Sequence, residues 1–359
     1  MVASLFSTSN NVHSKTITED TSLYDAFYAF VAYFGGYLTI LTILLGVVGN
    51  IISLIIFIRQ RKKDSASAIY LGCLAVTDLG NLISGIIFWA HQSLYYMSFG
   101  AYNIPYAYTD LGCKILCYAW YNFMFLSGWI IIAFSVERMI AVVFPLNVST
   151  VVTSRRRKLV LVGLLFASLA IWGDVGQLFE VYGPYPPGHQ ERYNCFFNPV
   201  ALPEWHLLFF LIRLFSLTQF LPIVILTILN TIIIIGIRRN NGVIEIKDPK
   251  RAKREMRCTL NLISVSTAYT VLMTPYLITW ALYMAEDLTG WKGRSLAYVD
   301  FLSEVAVYTI SIGSINYALN FVIYTISLDF YRAELLQVLN CNKKKLMRTD
   351  ISFTLNKIE

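Results

Sequence analysis

Charged residues are scarce in this chain of 359 residues. Asp, Glu, Lys and Arg together make up 14% of it, whereas 56% of the residues are hydrophobic. Soluble globular domains carry about 25% charged residues, so this composition places the protein among membrane proteins. Histidine is also rare, and the four histidines are scattered along the chain. Because no spacing typical of a metal site or a hydrolase appears, we do not expect an enzyme.

Cysteine is too infrequent for a disulfide scaffold, since only six are spread over the whole chain. Residues 1–30 lack the basic start and the small-residue cleavage site of a signal peptide, and they are rich in Ser, Thr and Asn. We therefore interpret residues 1–30 as a disordered tail.

Seven apolar segments follow this tail, each long enough to cross a bilayer as a helix of about 20 residues. They are 32–58, 68–91, 111–144, 159–182, 205–236, 257–284 and 298–325. Of the 29 Lys and Arg, 22 lie in alternate connections, at a segment end beside them or in the C-terminal tail. Five lie in the N-terminal tail, in the other connections or at a segment end beside those, and only Arg138 and Arg213 lie deeper within segments. Since basic residues remain on the cytoplasmic side, the N-terminus is predicted outside the cell and the C-terminus inside. The net charge of +7 is thus a topology signal, and we expect no nucleic-acid partner.

The third segment carries the most informative motif. Within 113–146 the only formal charges after Lys114 are Glu137 and Arg138, and Phe-Pro-Leu follows them. An adjacent acid and base near the end of a span are costly to bury, so they mark function unless both simply snorkel to water. Cys113 lies about 36 Å away along a helix, at the opposite membrane face.

This arrangement resembles the third helix of rhodopsin-like (class A) G-protein-coupled receptors, with Met139 where their Asp/Glu-Arg-Tyr motif has Tyr. One marker of that family stands in each segment, in order: Asn50, Asp78, Arg138, Trp172, Pro222, Pro275 and Asn320. The resemblance implies an all-α membrane protein, a bundle of seven transmembrane helices over 31–326. A short amphipathic eighth helix and a cytoplasmic tail would occupy 327–359.

The resemblance also implies function. Such a protein is a multi-pass receptor of the plasma membrane that binds an extracellular ligand and activates a heterotrimeric G protein. The Glu-Arg pair before Phe-Pro-Leu, and the run 314–324 of span seven, look most like invertebrate FMRFamide- and myosuppressin-type neuropeptide receptors. Most class A receptors have Pro, Trp and Tyr where this chain has Phe321, Met273 and Asn230. These departures bear on the activation mechanism and leave the fold prediction unchanged.

Two structural sites follow from the resemblance. A disulfide is expected between Cys113 and Cys195, the two cysteines in outer regions. A polar pocket around Asp78 is expected to contain four further side chains, and in related receptors it holds a sodium ion. Those four are Asn50, Ser127, Asn316 and Asn320.

A switch is predicted at the inner end of the bundle. Glu255 lies twenty residues before Pro275, about 30 Å down the helix, which brings it to the depth of Arg138. We expect Arg138 to pair with Glu137 and Glu255 when the receptor is off, and to turn toward Tyr324 when it is on. The competing interpretation is that Glu255 is a solvated charge at a helix end.

The outer pocket is less specific. The ligand-pocket candidates are Trp120, Met273, Tyr276 and Glu304. Trp120 lies eighteen residues before Arg138, where amine receptors keep an Asp, which argues against an amine ligand. The outer regions hold more acid than base, which suits a cationic peptide, although an ordinary solvated rim would look the same.

The C-terminal region predicts an amphipathic helix over 328–340, because its apolar residues recur at helical spacing. Cys341 follows this helix and precedes Lys343–Lys345, a pattern that fits either a palmitoylated cysteine or a free thiol.

Three alternatives stay open to different degrees. A chemosensory receptor of the same fold for an environmental small molecule is the alternative to a neuropeptide receptor. A transporter is disfavoured because we see no internal repeat of span patterns. A retinal pigment would need a Lys in span seven, and 298–325 contains none.

Overall fold

The computed structural model describes residues 20–61, 66–85, 109–145, 148–182, 194–197, 204–240, 249–289 and 296–339. Its first long helices are α1 (Asp20–Arg61), α2 (Ala66–Gly85), α3 (Asp110–Val143) and α4 (Ser154–Ile171). Helix α5 runs through three consecutive parts, Glu204–Leu214, the π-helical Phe215–Phe220 and Leu221–Asn240. Helices α6 (Pro249–Thr289), α7 (Leu296–Ser327) and α8 (329–339) complete the bundle.

Small elements flank α4 on both sides. One-turn helices cover Val148–Val151 and Val175–Leu178. The strands β1 (Phe179–Tyr182) and β2 (Asn194–Phe197) form an antiparallel pair in which Val181 lies opposite Cys195.

Seven of the described helices are long and apolar enough to cross a membrane. The predicted all-α architecture, seven spanning helices followed by a short C-terminal helix, is therefore confirmed. Many large apolar side chains remain exposed on the outside of the bundle, among them Leu45, Phe166 and Ile235. In water such a surface would be costly, whereas in a bilayer it faces lipid.

Several segment boundaries differ from the prediction. Helix α1 begins at Asp20, so residues 20–30 of the predicted tail are helical; this stretch contains neither Gly nor Pro to interrupt a helix. Helix α4 begins at Ser154, because the Thr153 hydroxyl accepts a hydrogen bond from the Arg156 N–H (3.3 Å) and caps the helix. The basic run 155–158 thus belongs to α4 and not to a connection.

The outer end of the fourth segment was also predicted wrongly. Helix α4 ends at Ile171, a turn follows, and Phe179–Tyr182 is a strand. Pairing with β2 supplies backbone hydrogen bonds that a helix would otherwise have supplied. Residues 86–91 of the second predicted segment lie outside the described residues.

Helix α3 is the hub of the bundle. It packs against α2, α4, α5 and α6, while α1 and α7 close the ring between α2 and α6. Its buried side chains run along its whole length, from Cys113 to Arg138. Because α3 touches so many neighbours, side chains on it can connect helices that do not otherwise meet.

Helix α8 is fixed to α1 by two polar contacts. The hydroxyls of Ser53 and Tyr331 lie 2.7 Å apart, and the Gln60 amide donates to Glu334 Oε1 at 3.1 Å. Burial raises the pKa of Tyr331 to about 12, because the apolar surroundings disfavour the phenolate. The start of α8 is therefore held close to the C-terminal ends of α1 and α7.

Candidate functional site

A cluster of four charges joins three helices at one end of the bundle. The Arg138 Nη1 atom donates to Glu255 Oε2 at 2.6 Å, and its Nη2 donates to Glu137 Oε1 at 3.1 Å. The other Glu137 oxygen accepts a hydrogen bond from Arg157 Nε at 2.8 Å. We call these four residues the Arg138 cluster; it links α3, α4 and α6.

The four members of the Arg138 cluster differ in exposure. The side chains of Arg138 and Glu137 are each 5% exposed and that of Arg157 is 13% exposed, whereas Glu255 is 50% exposed. Two guanidinium groups and two carboxylates balance each other, which makes their burial tolerable. Only Glu255 has water at hand to replace its partner, so the contact to α6 is the weakest point of the cluster.

Arg157 was not among the residues singled out from the sequence. Its signal was the basic run at 155–158, which we assigned to a connection. Because α4 begins at Ser154, the third residue of that run faces α3, while Arg155 and Lys158 stay exposed. If the run 155–158 had been treated as part of the helix, its position on the helix face would have identified Arg157 as a residue that faces α3.

Tyr324 does not belong to this cluster in the described arrangement. Its ring packs edge-on against Phe57 at 5.3 Å between centroids, and against Tyr331 at 5.6 Å. Its hydroxyl is buried and has no hydrogen-bond partner among the described residues. Tyr324 therefore lies between α1 and α8 with an unused hydroxyl.

Asp78 lies in a second buried site, in the middle of the bundle. Its side chain is fully buried; Ser127 Oγ donates to its Oδ1 and Asn320 Nδ2 donates to its Oδ2, both at 2.7 Å. These three residues, which we call the Asp78 pocket, join α2, α3 and α7. No cation contacts Asp78 among the described residues, so its charge is offset by neutral donors alone.

Asn50 and Asn316 differ from the predicted network. The Asn50 amide donates to the backbone carbonyls of Gly46 and Tyr317, at 2.9 and 2.8 Å. Both polar atoms of the Asn316 side chain are buried and lack a partner within the described part of the chain. Ser127 and Asn320 each donate to one oxygen of Asp78, and since a carboxylate can accept further hydrogen bonds, it is the placement of the Asn316 side chain that keeps it out of the network.

The donor set near Asp78 fits a hard monovalent cation. It offers the carboxylate, the Ser127 hydroxyl and, one helical turn from Asn320, the unpartnered carbonyl oxygen of Asn316. Oxygen ligands of this kind are those that hard cations prefer. The sodium ion stays a prediction.

At the other end of the bundle, Cys113 is buried and disulfide-bonded. Strand β1 packs against α3 and pairs with the strand that carries Cys195. The side chain of Cys195 lies outside the described residues, so its pairing with Cys113 stays a prediction.

The ligand-pocket candidates are only partly described. Trp120, Met273 and Tyr276 are all buried. Trp120 is only 9% exposed, so it does not face lipid, and its ring packs on Tyr121 at 5.0 Å between centroids. Met273 lies close to Gly313, where an added Cβ would approach its sulfur to 3.2 Å. The side chain of Glu304, like all of Cys341, lies outside the described residues.

An ion pair between α5 and the turn that follows α4 was missed from the sequence. Arg213 Nη2 donates to both oxygens of Asp174, at 2.7 and 2.9 Å, and its guanidinium carbon lies 5.0 Å from the Trp172 ring centroid. Both charges were visible at span ends. Opposite charges in two predicted spans indicate that the residues could pair. Their positions along the chain did not show that the two side chains lie close together.

Asn230 provides a polar contact where most class A receptors have Tyr. Its Oδ1 accepts a hydrogen bond from Ser266 Oγ at 2.9 Å, and both side chains are buried. Asn230 therefore connects α5 to α6 on the C-terminal side of the π-helical turn.

The π-helical part of α5 exposes two carbonyls that side chains satisfy. The Leu221 N–H donates to the Ser216 carbonyl, so it does not bond the Leu217 carbonyl as it would in an α-helix. Pro222 has no N–H, so it cannot bond the Thr218 carbonyl. Trp129 Nε1 donates to the Leu217 carbonyl at 2.9 Å.

The Tyr269 hydroxyl donates to the Thr218 carbonyl, also at 2.9 Å. The close approach of Tyr269 depends on Gly128, where a Cβ would lie 2.9 Å from the phenol oxygen. Through Trp129 and Tyr269 the irregular turn of α5 is bonded to both α3 and α6.

The amino-acid sequence was compared with those of known proteins and families. The family described as 7 transmembrane receptor (rhodopsin family) matches residues 49–324. Growth hormone secretagogue receptor type 1 of Mus musculus is 24% identical over 296 residues, covering 82% of this chain and 77% of that receptor. C-C chemokine receptor type 1 of Homo sapiens is 25% identical over 277 residues, covering 75% and 70%. Rhodopsin, GQ-coupled, of Mizuhopecten yessoensis is 24% identical over 311 residues, covering 84% and 58%.

The chain belongs to the rhodopsin family of seven-transmembrane receptors. It is a multi-pass membrane protein with seven spans, and its family consists of receptors that are not enzymes. Family membership implies two partners, an extracellular ligand and a G protein.

Proposed function

We propose that this protein is a plasma-membrane receptor for an extracellular neuropeptide of the FMRFamide or myosuppressin type, and that it activates a heterotrimeric G protein. The N-terminus would be outside the cell, so that the Arg138 cluster faces the cytoplasm. The distribution of basic residues supports this orientation, since 22 of the 29 Lys and Arg then lie in cytoplasmic regions.

The Arg138 cluster carries the proposal for signalling. It ties α6 to α3 through the contact between Arg138 and Glu255. A ligand shifts such an equilibrium only if it binds one state better than the other. An agonist that favours a state with α6 displaced would separate Glu255 from Arg138 and leave the guanidinium for the G protein.

Three observations support a peptide ligand. The similar receptors named above include one for a growth hormone secretagogue and one for C-C chemokines. Trp120 stands where amine receptors have Asp. The outer regions of the chain hold more acidic than basic residues, which favours a cationic peptide.

Further features belong to the same proposal. Cys113 pairs with Cys195 and holds the second outer loop against α3. The Asp78 pocket, with Asn50 and Asn316 nearby, accepts a sodium ion. Cys341 carries a palmitoyl group that anchors α8 to the membrane.

The experiment is a ligand screen in cells that express the receptor. A panel of amidated peptides and a panel of environmental small molecules are applied, and dissociation of G-protein subunits is recorded by energy transfer. We expect an amidated peptide to activate the wild type and to leave cells without the receptor silent. Activation by a small molecule alone would contradict the peptide proposal and favour a chemosensory receptor. A matched Arg138→Gln variant is expected to bind the peptide and to lose G-protein activation.

A further inference from the structure

A cleft with a basic rim opens between α6 and the start of α8, at the end of the bundle that holds the Arg138 cluster. Its volume is about 300 Å³. Six residues line it, three from α6 and three from the junction of α7 and α8: Lys253, Arg254, Arg257, Leu328, Asp329 and Phe330. We call it the α6–α8 cleft.

The cleft has an excess of positive charge. Arg257 pairs with Asp329, a carboxylate that also accepts from Arg332. Lys253 and Arg254 have no acidic partner among the described residues, and Lys253 is exposed. Two cations therefore remain uncompensated at the rim of a concave surface, where a bound anion would replace solvent.

Arg254 is held in place without its charge being neutralised. Its guanidinium carbon lies 5.0 Å from the centroid of the Phe330 ring, and its Nη2 donates to Gln60 Oε1 at 3.4 Å. Gln60 in turn donates to Glu334 on α8. Most of the five N–H donors of Arg254 stay free, in the planar fork that matches a phosphate group.

The floor of the cleft is apolar. Leu328 is buried and Phe330 is half-buried. A cationic rim over an apolar floor suits an amphiphile that carries phosphate, and it suits a fully hydrated ion less well. In the orientation proposed above, the α6–α8 cleft lies at the level of the cytoplasmic leaflet, whose anionic lipids attract basic residues.

We propose that the α6–α8 cleft binds the phosphorylated headgroup of an inner-leaflet phosphoinositide. Lys253 and Arg254 would contact the phosphates, and Phe330 and Leu328 would contact the glycerol and the first methylenes of the acyl chains. Arg257 contributes less, because Asp329 already neutralises it. The lipid would bridge α6, which carries Glu255, to α8.

The test uses the full-length receptor purified in nanodiscs of phosphatidylcholine, with a fluorescent short-chain phosphatidylinositol bisphosphate as the probe. We expect saturable binding that weakens about tenfold or more in Lys253→Gln/Arg254→Gln, since each basic residue contributes to anionic-lipid binding. The control is Arg155→Gln/Lys158→Gln, which removes two exposed cations from α4 at the same end of the bundle. It should weaken binding less than about threefold.

A gain of affinity provides a second test that misfolding cannot imitate. Asp329→Asn frees Arg257 from its carboxylate partner and removes a negative charge from the cleft. We expect this variant to bind the probe about threefold or more tightly, by the same electrostatic argument.

Three outcomes would overturn the proposal. They are no saturable binding by the wild type, equal losses in the two double variants, and competition by soluble inositol trisphosphate as effective as that by the lipid. The last would assign the cleft to free polyphosphates. None depends on agonist or G protein, so a failure here is distinguishable from a failure of the ligand screen.

Discussion

The Asp78 pocket and the Arg138 cluster are both buried ionic sites on α3, but they compensate charge in opposite ways. Asp78 is fully buried, and within the described part of the chain it is met only by the neutral donors Ser127 and Asn320. Arg138 is almost as buried, yet it is met by two carboxylates, of which Glu255 is half exposed. The first site has no member in contact with water, while the second has a half-exposed carboxylate, Glu255.

This difference indicates which site can open. Separating α7 from α2 would strand a carboxylate and an amide in an apolar interior, where unpaired polar groups cost several kcal/mol. Separating α6 from α3 leaves Glu255 in water, at much lower cost. We therefore infer that the Asp78 pocket holds the core of the bundle together, and that the Arg138 cluster is the place where it moves.

The largest effect is expected from Glu137→Gln. Glu137 is the carboxylate between Arg138 and Arg157, so its loss leaves Arg157 without its carboxylate and the buried Arg138 with Glu255 alone. Removing one partner of a buried ion pair costs about 3–5 kcal/mol. The apparent free energy of unfolding in mixed micelles should fall by that amount.

The matched control for Glu137→Gln is Asp110→Asn, on the same helix. Asp110 is 58% exposed and pairs with Lys114 along the helix surface, so its loss should cost well under about 1 kcal/mol. Equal losses in the two variants would contradict the distinction between the buried and the exposed member.

Ser127→Ala tests the Asp78 pocket with a smaller expected effect. The substitution removes one of the two hydrogen bonds to the buried carboxylate. Hydrogen bonds to charged groups contribute about 1.5–3 kcal/mol, so stability should fall within that range. Ser264→Ala is the control, because Ser264 is exposed and bonds only to the carbonyl of Leu260 on its own helix. If both serines behaved alike, Asp78 would not depend on Ser127.

Tyr269→Phe supplies the scale for a buried hydrogen bond without formal charge. It keeps the ring and removes the donor to the Thr218 carbonyl at the π-helical turn. We expect a loss of about 1 kcal/mol. Tyr118→Phe is the matched control, since Tyr118 bonds to the carbonyl of Leu169 at an exposed position. A larger loss for Tyr118→Phe than for Tyr269→Phe would overturn this ranking.

The sequence predicted the fold because the signals for it are local. Long apolar segments, the alternation of basic connections and the markers from Asn50 to Asn320 each depend on a short stretch of chain. Contacts between helices were predicted in two ways: the family resemblance brought Ser127 and Asn320 to Asp78, and position along the helix fixed the depth of Glu255 and Arg138. Spacing from Pro275 brought them to one level, and their Nη1 and Oε2 atoms lie 2.6 Å apart.

Contacts that depend on irregular backbone could not be predicted in this way. Arg157 faces Glu137 because Thr153 caps α4 one turn earlier than the apolar pattern indicates. The bond from Tyr269 to Thr218 depends on a π-helical turn whose extra residue changes the phase of α5. Asn316 lies outside the Asp78 pocket, with both side-chain polar atoms buried and unpartnered among the described residues, and no pattern in the sequence indicates this.

The smallest effect on stability, and the most informative one on function, is expected from Glu255→Gln. Because Glu255 is half exposed, losing its pair with Arg138 should cost under about 1 kcal/mol of stability. Arg138 and Arg157 would still share Glu137, so the α3–α4 part of the cluster persists while α6 is released.

A shift of about 1 kcal/mol in a two-state equilibrium changes the ratio of states about fivefold. Basal G-protein activation without ligand should therefore rise several-fold at equal surface expression, with Asp110→Asn unchanged. Basal activity equal to wild type would contradict the assignment of the Arg138–Glu255 contact as the restraint on α6.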